Sequence, residues 1–145
     1  MTNTNFKVDI RKKIQAPLEK LYNAWTQPDE LKQWWKPMNK QLKDVTNDLQ
    51  EGGIIKYTFD DSLEIDGTYS QVKDKQRLVY SWNWHLPKDD VKDSAYQLTV
   101  EFSGDDKASE IHVLQENFES EEGTLPHKEG WEKGLNDLET YLTGV

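Results

Sequence analysis

His127-Lys128-Glu129-Gly130-Trp131-Glu132-Lys133-Gly134-Leu135-Asn136-Asp137-Leu138-Glu139-Thr140-Tyr141-Leu142 carries the clearest helical pattern near the end of the chain. Trp131, Leu135, Leu138 and Leu142 recur at i, i+4, i+7 and i+11, the spacing that lines side chains up along one stripe of a helix. The spacing predicts a helix over 127–142. A lone amphipathic helix closing a chain otherwise patterned as strands needs a sheet to cover its stripe. The expected shape is therefore an antiparallel sheet curled round that helix, a form able to hold a cavity between the two.

Working outward, the chain has 145 residues and a mass of 17.0 kDa, which fits one domain over 1–145, with a core over about 6–143. Mean hydropathy is low at -0.94, yet six Trp, six Tyr and four Phe supply large buried areas per residue. The formal net charge of -9 repels polyphosphate backbones and anionic membrane surfaces, so neither nucleic acid nor membrane is an expected partner. Arg11-Lys12-Lys13 is too short a basic run to change that. Absence of Cys removes disulfides, thiolate nucleophiles and Cys-based zinc sites. Residues 1–5 lack the basic segment and apolar run of a signal peptide, and no stretch approaches eighteen apolar residues, so a cytoplasmic location is expected.

Phe6, Val8, Ile10 and Ile14 alternate with charged residues as a half-buried strand does. Pro17 ends it and suits the start of a helix carrying Leu18, Leu21, Tyr22 and Trp25 on one face. A second short helix begins near Pro28-Asp29-Glu30, carries Leu31, Trp34 and Trp35, and stops at Pro37. Strands are then expected at Leu42–Leu49, Ile54–Asp60, Leu63–Lys73, Arg77–Trp84, Ala95–Ser103 and Ser109–Phe118. Turn chemistry separates them: Glu51-Gly52-Gly53, Asp60-Asp61-Ser62, Asp74-Lys75-Gln76, a longer loop over Pro87–Asp93, and Gly104-Asp105-Asp106-Lys107. Period-two alternation assigns to the inner face Ile55, Tyr57 and Phe59; Leu63, Ile65 and Tyr69; Leu78, Tyr80, Trp82 and Trp84; Tyr96, Leu98, Val100 and Phe102; Ile111 and Val113. Hairpin-linked strands with helices kept to the ends indicate an α+β protein.

Several of these segments together resemble the activator of heat-shock protein 90 ATPase homologue family, in the START-like (SRPBCC) superfamily that also includes polyketide cyclases and the birch pollen allergen. The residues that carry the resemblance are Ala16–Thr26 with Pro28, Leu31, Trp34 and Trp35; Asp48 with Gly52-Gly53; Gly67-Thr68-Tyr69; Arg77–Trp82; and Gly130-Trp131 with Leu135, Leu138 and Leu142. The resemblance implies a helix-grip fold, a curved antiparallel sheet wrapped around the long C-terminal helix, with two short helices after the first strand. Gln50 and Gln115 depart from the family pattern, which often has Arg and His there.

No catalytic constellation can be named. His85, His112 and His127 are not spaced as metal ligands, and His112 is out of phase with inner positions 111 and 113 and reads as a solvated sheet residue. The serines lack a nucleophile-elbow glycine pattern, and there is no phosphate-cradling glycine-rich loop. A buried carboxylate could serve as a general base, but Asp66, Glu101 and Glu116 are indistinguishable for that role. No metal or cofactor is implied. The aromatic set remains: Trp34, Trp35, Tyr57, Tyr69, Trp82, Trp84, Phe102 and Trp131, with Gly134, Leu135 and Leu138, could line a pocket for an apolar or planar ligand, or simply fill the core. Gly130 and Gly134 each cost a helix roughly 1 kcal/mol relative to Ala, and at 134 the missing side chain either admits a strand or leaves room for a ligand.

Three functional expectations follow. The first is a non-enzymatic binding module whose cavity, between the sheet and Trp131, Leu135 and Leu138, takes a small hydrophobic molecule. The second, implied by the resemblance alone, is a stress-linked co-chaperone that stimulates a heat-shock protein 90 type ATPase; the family's familiar eukaryotic members carry a further N-terminal domain not found in this sequence. The third is an enzyme of cyclase or hydrolase type.

Overall fold

The computed structural model describes residues 6–36, 41–59, 64–86, 91–118 and 121–144. Strand β1 (Phe6–Ile14) leads into helices α1 (Leu18–Thr26) and α2 (Pro28–Trp34), then come β2 (Asp44–Asn47), β3 (Ile54–Thr58), β4 (Glu64–Lys73), β5 (Arg77–Leu86), β6 (Val91–Gly104) and β7 (Ser109–Phe118), and finally α3 (Glu121–Thr143). All seven strands form one antiparallel sheet in the order β1-β7-β6-β5-β4-β3-β2. The chain thus meanders from β2 to β7, and β1 is added at the far edge beside β7. Among the described residues, no helix is long and apolar enough to cross a membrane.

Local chemistry explains the elements. Pro17 caps α1, and the first N–H of that helix is satisfied from across the fold, Leu18 N–H donating to the Asp105 carbonyl at 2.8 Å. Pro28 occupies the first turn of α2, where its missing N–H costs nothing. At the β2–β3 turn Gly52 has φ +84°, and a Cβ on Gly53 would come within 2.0 Å of the Asp48 carbonyl oxygen. The Gly-Gly pair is therefore one positive-φ position followed by one close backbone approach. Inward residues are buried as the period-two pattern expects: Ile55, Tyr57, Ile65, Tyr69, Leu78, Tyr80, Trp82, Leu98, Val100, Phe102, Ile111 and Val113.

Strand β2 is shorter at both ends than the expected Leu42–Leu49, β3 stops at Thr58 and β5 runs on to Leu86, but two boundaries differ most from the pattern in the sequence. Val91, Lys92 and Asp93 belong to β6 and not to a loop, pairing with Leu86, His85 and Trp84. Backbone pairing to β5 outweighs the weak strand preference of Lys and Asp. The last helix begins at Glu121, before Pro126, instead of at His127. Buried Thr124, whose Oγ1 donates to the Glu121 carbonyl at 2.6 Å, ties down the added turn. The expected strand end at Asp60, the strand start at Leu63, the stop at Pro37 and most of the Pro87–Asp93 loop fall outside the described residues.

Helix α3 crosses the inner face of the sheet and buries Trp131, Gly134, Leu135 and Leu138. It is pinned to β1 by Lys12, whose Nζ donates to Asn136 Oδ1 at 2.7 Å and lies 3.2 Å from Glu139 Oε1. Tyr141 Oη donates to Glu30 Oε1 at 3.3 Å, holding α3 to α2.

Candidate ligand-binding site

The aromatic residues on the inner face form one connected network. Trp131 of α3 stacks on Trp25 at 5.8 Å and meets Trp82 of β5 at 5.7 Å. Trp82 in turn touches Trp35 at 6.0 Å and Tyr57 at 5.7 Å, and Trp35 sits edge-on to Tyr57 at 4.7 Å. Leu135 and Leu138 are buried in the same core. A Cβ added at Gly134 would lie 3.9 Å from Trp35 Cδ1, an ordinary contact, so what faces this glycine is an indole at the end of α2.

The remaining expected residues are placed elsewhere in the core. Trp34 packs on Trp25 at 5.9 Å and donates its indole N–H to the Ala24 carbonyl at 2.8 Å. Tyr69 lies 5.0 Å from Tyr80, and its Oη donates to Asn47 Oδ1 at 2.7 Å; Asn47 Nδ2 donates on to the Thr26 carbonyl. Phe102 meets Tyr22 at 5.1 Å under α1. These three serve the packing of α1 and α2 on the sheet, so the structure divides the set into a scaffold side and a side beneath α3.

Beneath α3 the arrangement is sharper than the aromatic pattern alone indicates. Trp82 and Trp84 are two residues apart on β5 and share its inner face. His127 and Trp131 are four apart on α3 and share the helical stripe. The helix pair lies over the strand pair, with Trp131 against Trp82 and His127 against Trp84, the latter at 5.8 Å. Tyr96 of β6 and Phe118 of β7 complete the ring wall around His127 at 5.2 and 5.1 Å.

Gln115 of β7, fully buried, joins both helix residues. Trp131 Nε1–H donates to Gln115 Oε1 at 2.8 Å, and Gln115 Nε2 lies 3.3 Å from His127 Nδ1. Burial normally requires every polar atom to be paired. Tyr22 Oη and the indole N–H groups of Trp82 and Trp84 break that rule, being enclosed with no hydrogen-bond partner among the described residues. An unmet buried donor costs about 1–3 kcal/mol, so two of them side by side on one strand require an explanation.

Three buried phenols also lie on the inner face. Burial pushes Tyr57, Tyr69 and Tyr80 well above the usual phenol range; neighbouring phenols add to the effect at Tyr57 and Tyr69, while the hydrogen bonds to Asn47 at Tyr69 and Trp25 at Tyr80 oppose it. None is poised for proton transfer near neutral pH. The other two histidines are held by carboxylates: His85 Nε2 lies 3.1 Å from Asp66 Oδ2, and His112 sits on the outer face between Asp9 Oδ1 and Glu101 Oε1 at 2.5 and 3.1 Å. The His112 side chain is only 12% exposed, so neighbouring long side chains shield it from the solvent that its out-of-phase position suggested. Among the described residues, no grouping of three or more His, Cys, Asp or Glu could hold a metal ion. A polar cleft of about 420 Å³ lies on the outer face, bounded by Arg11, Lys73, Arg77, Glu101, Glu110 and His112.

Sequence reasoning missed Gln115, His127, Tyr96 and Phe118 as partners of Trp82, Trp84 and Trp131. Gln115 continues the inner phase of Ile111 and Val113, and that phase is the signal that could have found it.

Sheet, closing helix and inner aromatic seat define a helix-grip domain. The chain belongs to the family described as Activator of Hsp90 ATPase homolog 1-like protein, whose model matches residues 15–143. Solved structures share the fold at low identity. An AHSA1-like protein from Aeromonas hydrophila is 19% identical with a TM-score of 0.77, covering 96% of this chain and 93% of its own. Protein Ms6760 from Mycobacterium smegmatis is 16% identical with a TM-score of 0.78, covering 99% and 94%. DynU16, a protein in the dynemicin biosynthetic locus, is 21% identical with a TM-score of 0.75; the match covers 95% of this chain but only 48% of DynU16, so this chain spans about half its length. No significant match is found among curated proteins.

Proposed function

We propose that this protein is a non-enzymatic binding domain that seats a small hydrophobic, ring-bearing molecule between β5 and α3. The observation that carries the reading is the pair of enclosed indole N–H groups of Trp82 and Trp84, which find no acceptor among the described residues, in an otherwise apolar aromatic wall. Ligand sites are mostly apolar with a few placed polar tips, and donors left unmet by the fold are met by a ligand's oxygen atoms. The seat consists of Trp82, Trp84 and Trp131, with Tyr96, Phe118 and His127 around its end; Leu135, Leu138, Trp35, Tyr57 and Gly134 back it. Native mass spectrometry of freshly purified protein tests this directly. A co-purifying mass that is lost on organic extraction is the expected result. A protein of bare chain mass that also fails to bind an apolar dye contradicts it.

The family's description supplies a second reading, in which the domain stimulates the ATPase of a heat-shock protein 90 type chaperone. Steady-state ATP hydrolysis by such a chaperone, with and without saturating protein, tests it: a raised rate supports it and an unchanged rate ends it.

A further inference from the structure

The outer face of the sheet carries a charged row that the aromatic seat does not use. Register pairing sets Lys73 of β4 opposite Arg77 of β5, Arg77 opposite Glu101 of β6, Glu101 opposite His112 of β7, and His112 opposite Arg11 of β1. Neighbouring strands thus present Lys, Arg, Glu, His and Arg side by side, at the ~4.8 Å step between strands of a sheet. The outer cleft of about 420 Å³ lies along this row. Its volume falls in the range of small-molecule sites, about 300–1,000 Å³.

Charge is not balanced along the row. At the β1 end Arg11 Nη1 donates to Glu110 Oε1 at 3.3 Å, and in the middle Glu101 Oε1 lies 3.1 Å from His112 Nδ1. At the β4 end two cations face each other across a hairpin, a pairing that repels. Arg77 has only the second oxygen of Glu101, 3.8 Å from its Nη1 and beyond hydrogen-bond reach. The Lys73 ammonium has neither ion pair nor hydrogen bond among the described residues. The hairpin fixes the pair, because Gln76 N–H donates to the Lys73 carbonyl at 3.0 Å and Phe102 N–H donates to the Gln76 carbonyl at 2.9 Å, tying the turn to β6. In a chain with 27 acidic residues against 18 basic ones, two cations held together without a hydrogen-bonded carboxylate need a reason.

We propose that Lys73 and Arg77 form an anion site, on the opposite face of the sheet from the aromatic seat, that takes the phosphoryl group of a small phosphorylated polyol such as a sugar phosphate. Two uncompensated cations match a phosphate monoester, which carries a charge of about −1.5 to −2 at neutral pH, whereas a single carboxylate offsets only one of them. A guanidinium fork beside an ammonium suits the phosphoryl oxygens. The polyol body then lies along the cleft, where Ser103 and Glu110, opposite each other on β6 and β7, offer polar groups to its hydroxyls. This site and the aromatic seat stand independently, and either can fail without the other.

Titration with glucose 6-phosphate at low ionic strength, followed through the backbone amide and arginine side-chain resonances, tests the site. Saturable shifts at Lys73, Arg77 and Ser103 are expected, with none on adding glucose and with binding weakened as salt is raised. Lys73→Gln combined with Arg77→Gln should weaken binding by about tenfold or more, as loss of charge-assisted hydrogen bonds requires. Both side chains are exposed, so the variant keeps the fold, and unchanged indole resonances check that. Lys128→Gln combined with Lys133→Gln removes the same charge from α3, across the sheet, and should leave binding unchanged. Absent shifts, binding that survives the Lys73 and Arg77 changes, or an equal loss in the α3 variant overturns the site. Inorganic phosphate binding as tightly as the sugar phosphate overturns the polyol body, and succinate binding more tightly overturns the phosphoryl class.

Discussion

With no exposure of its own, Gln115 commits both ends of its side chain to α3. Gln115→Leu keeps the volume roughly but leaves the Trp131 N–H without an acceptor inside the core. Each buried polar group stripped of its partner costs about 1–3 kcal/mol, so urea unfolding should show a stability loss of about 2 kcal/mol. Trp131 itself stacks on Trp25 and Trp82, and truncation to Ala should cost about 3–5 kcal/mol, the range for a large aromatic in a packed core. An unchanged midpoint for either Gln115→Leu or Trp131→Ala would contradict the packing described.

Helix α3 carries an opposite kind of prediction. Gly130 is exposed, with nothing within 4 Å of where a Cβ would sit. Gly130→Ala should therefore stabilise the protein by about 1 kcal/mol, visible as a raised urea midpoint; no gain would mean that the glycine serves some contact absent from the fold. The stripe of Trp131, Leu135 and Leu138 was fully legible, since burial on a helix leaves a 3.6-residue period. Its N-terminal turns were not, because Pro costs a helix interior about 3 kcal/mol and reads as a stop. Here that cost is offset by buried Thr124 and by His127 seated among Trp84, Tyr96 and Phe118. The error had a consequence: with the helix starting at His127, that residue looked terminal, when it lies a full turn inside and faces β5. Gln115 escaped for a related reason, since polarity concealed a position that the alternation of β7 already placed inward. The hairpin order and the inner aromatic faces were legible because strand alternation and turn residues are local signals. The pairing of α3 residues with particular strand residues is tertiary, and no local period encodes it.

Across the whole molecule, the buried phenols set the alkaline limit. Tyr57, Tyr69 and Tyr80 have folded-state values raised above the ordinary phenol value near 10, so the fold holds them protonated while the unfolded chain releases the proton. Their stabilisation is fully present below about pH 10 and is lost as pH rises beyond it. Urea midpoints measured at increasing pH should fall steeply above pH 10, and phenolate absorbance from these three rings should grow only with unfolding. A flat profile to strongly alkaline pH would contradict their burial. The same sheet and helix that bury the phenols bring β5 and α3 together, and binding between those two elements is the central claim. Intermolecular nuclear Overhauser effects between the protein and menadione, a small apolar ring-bearing probe, test it most directly. The account predicts contacts from the menadione methyl and ring protons to Trp82, Trp84, Trp131 and His127; contacts confined to the outer cleft around Arg77 and His112 would contradict it.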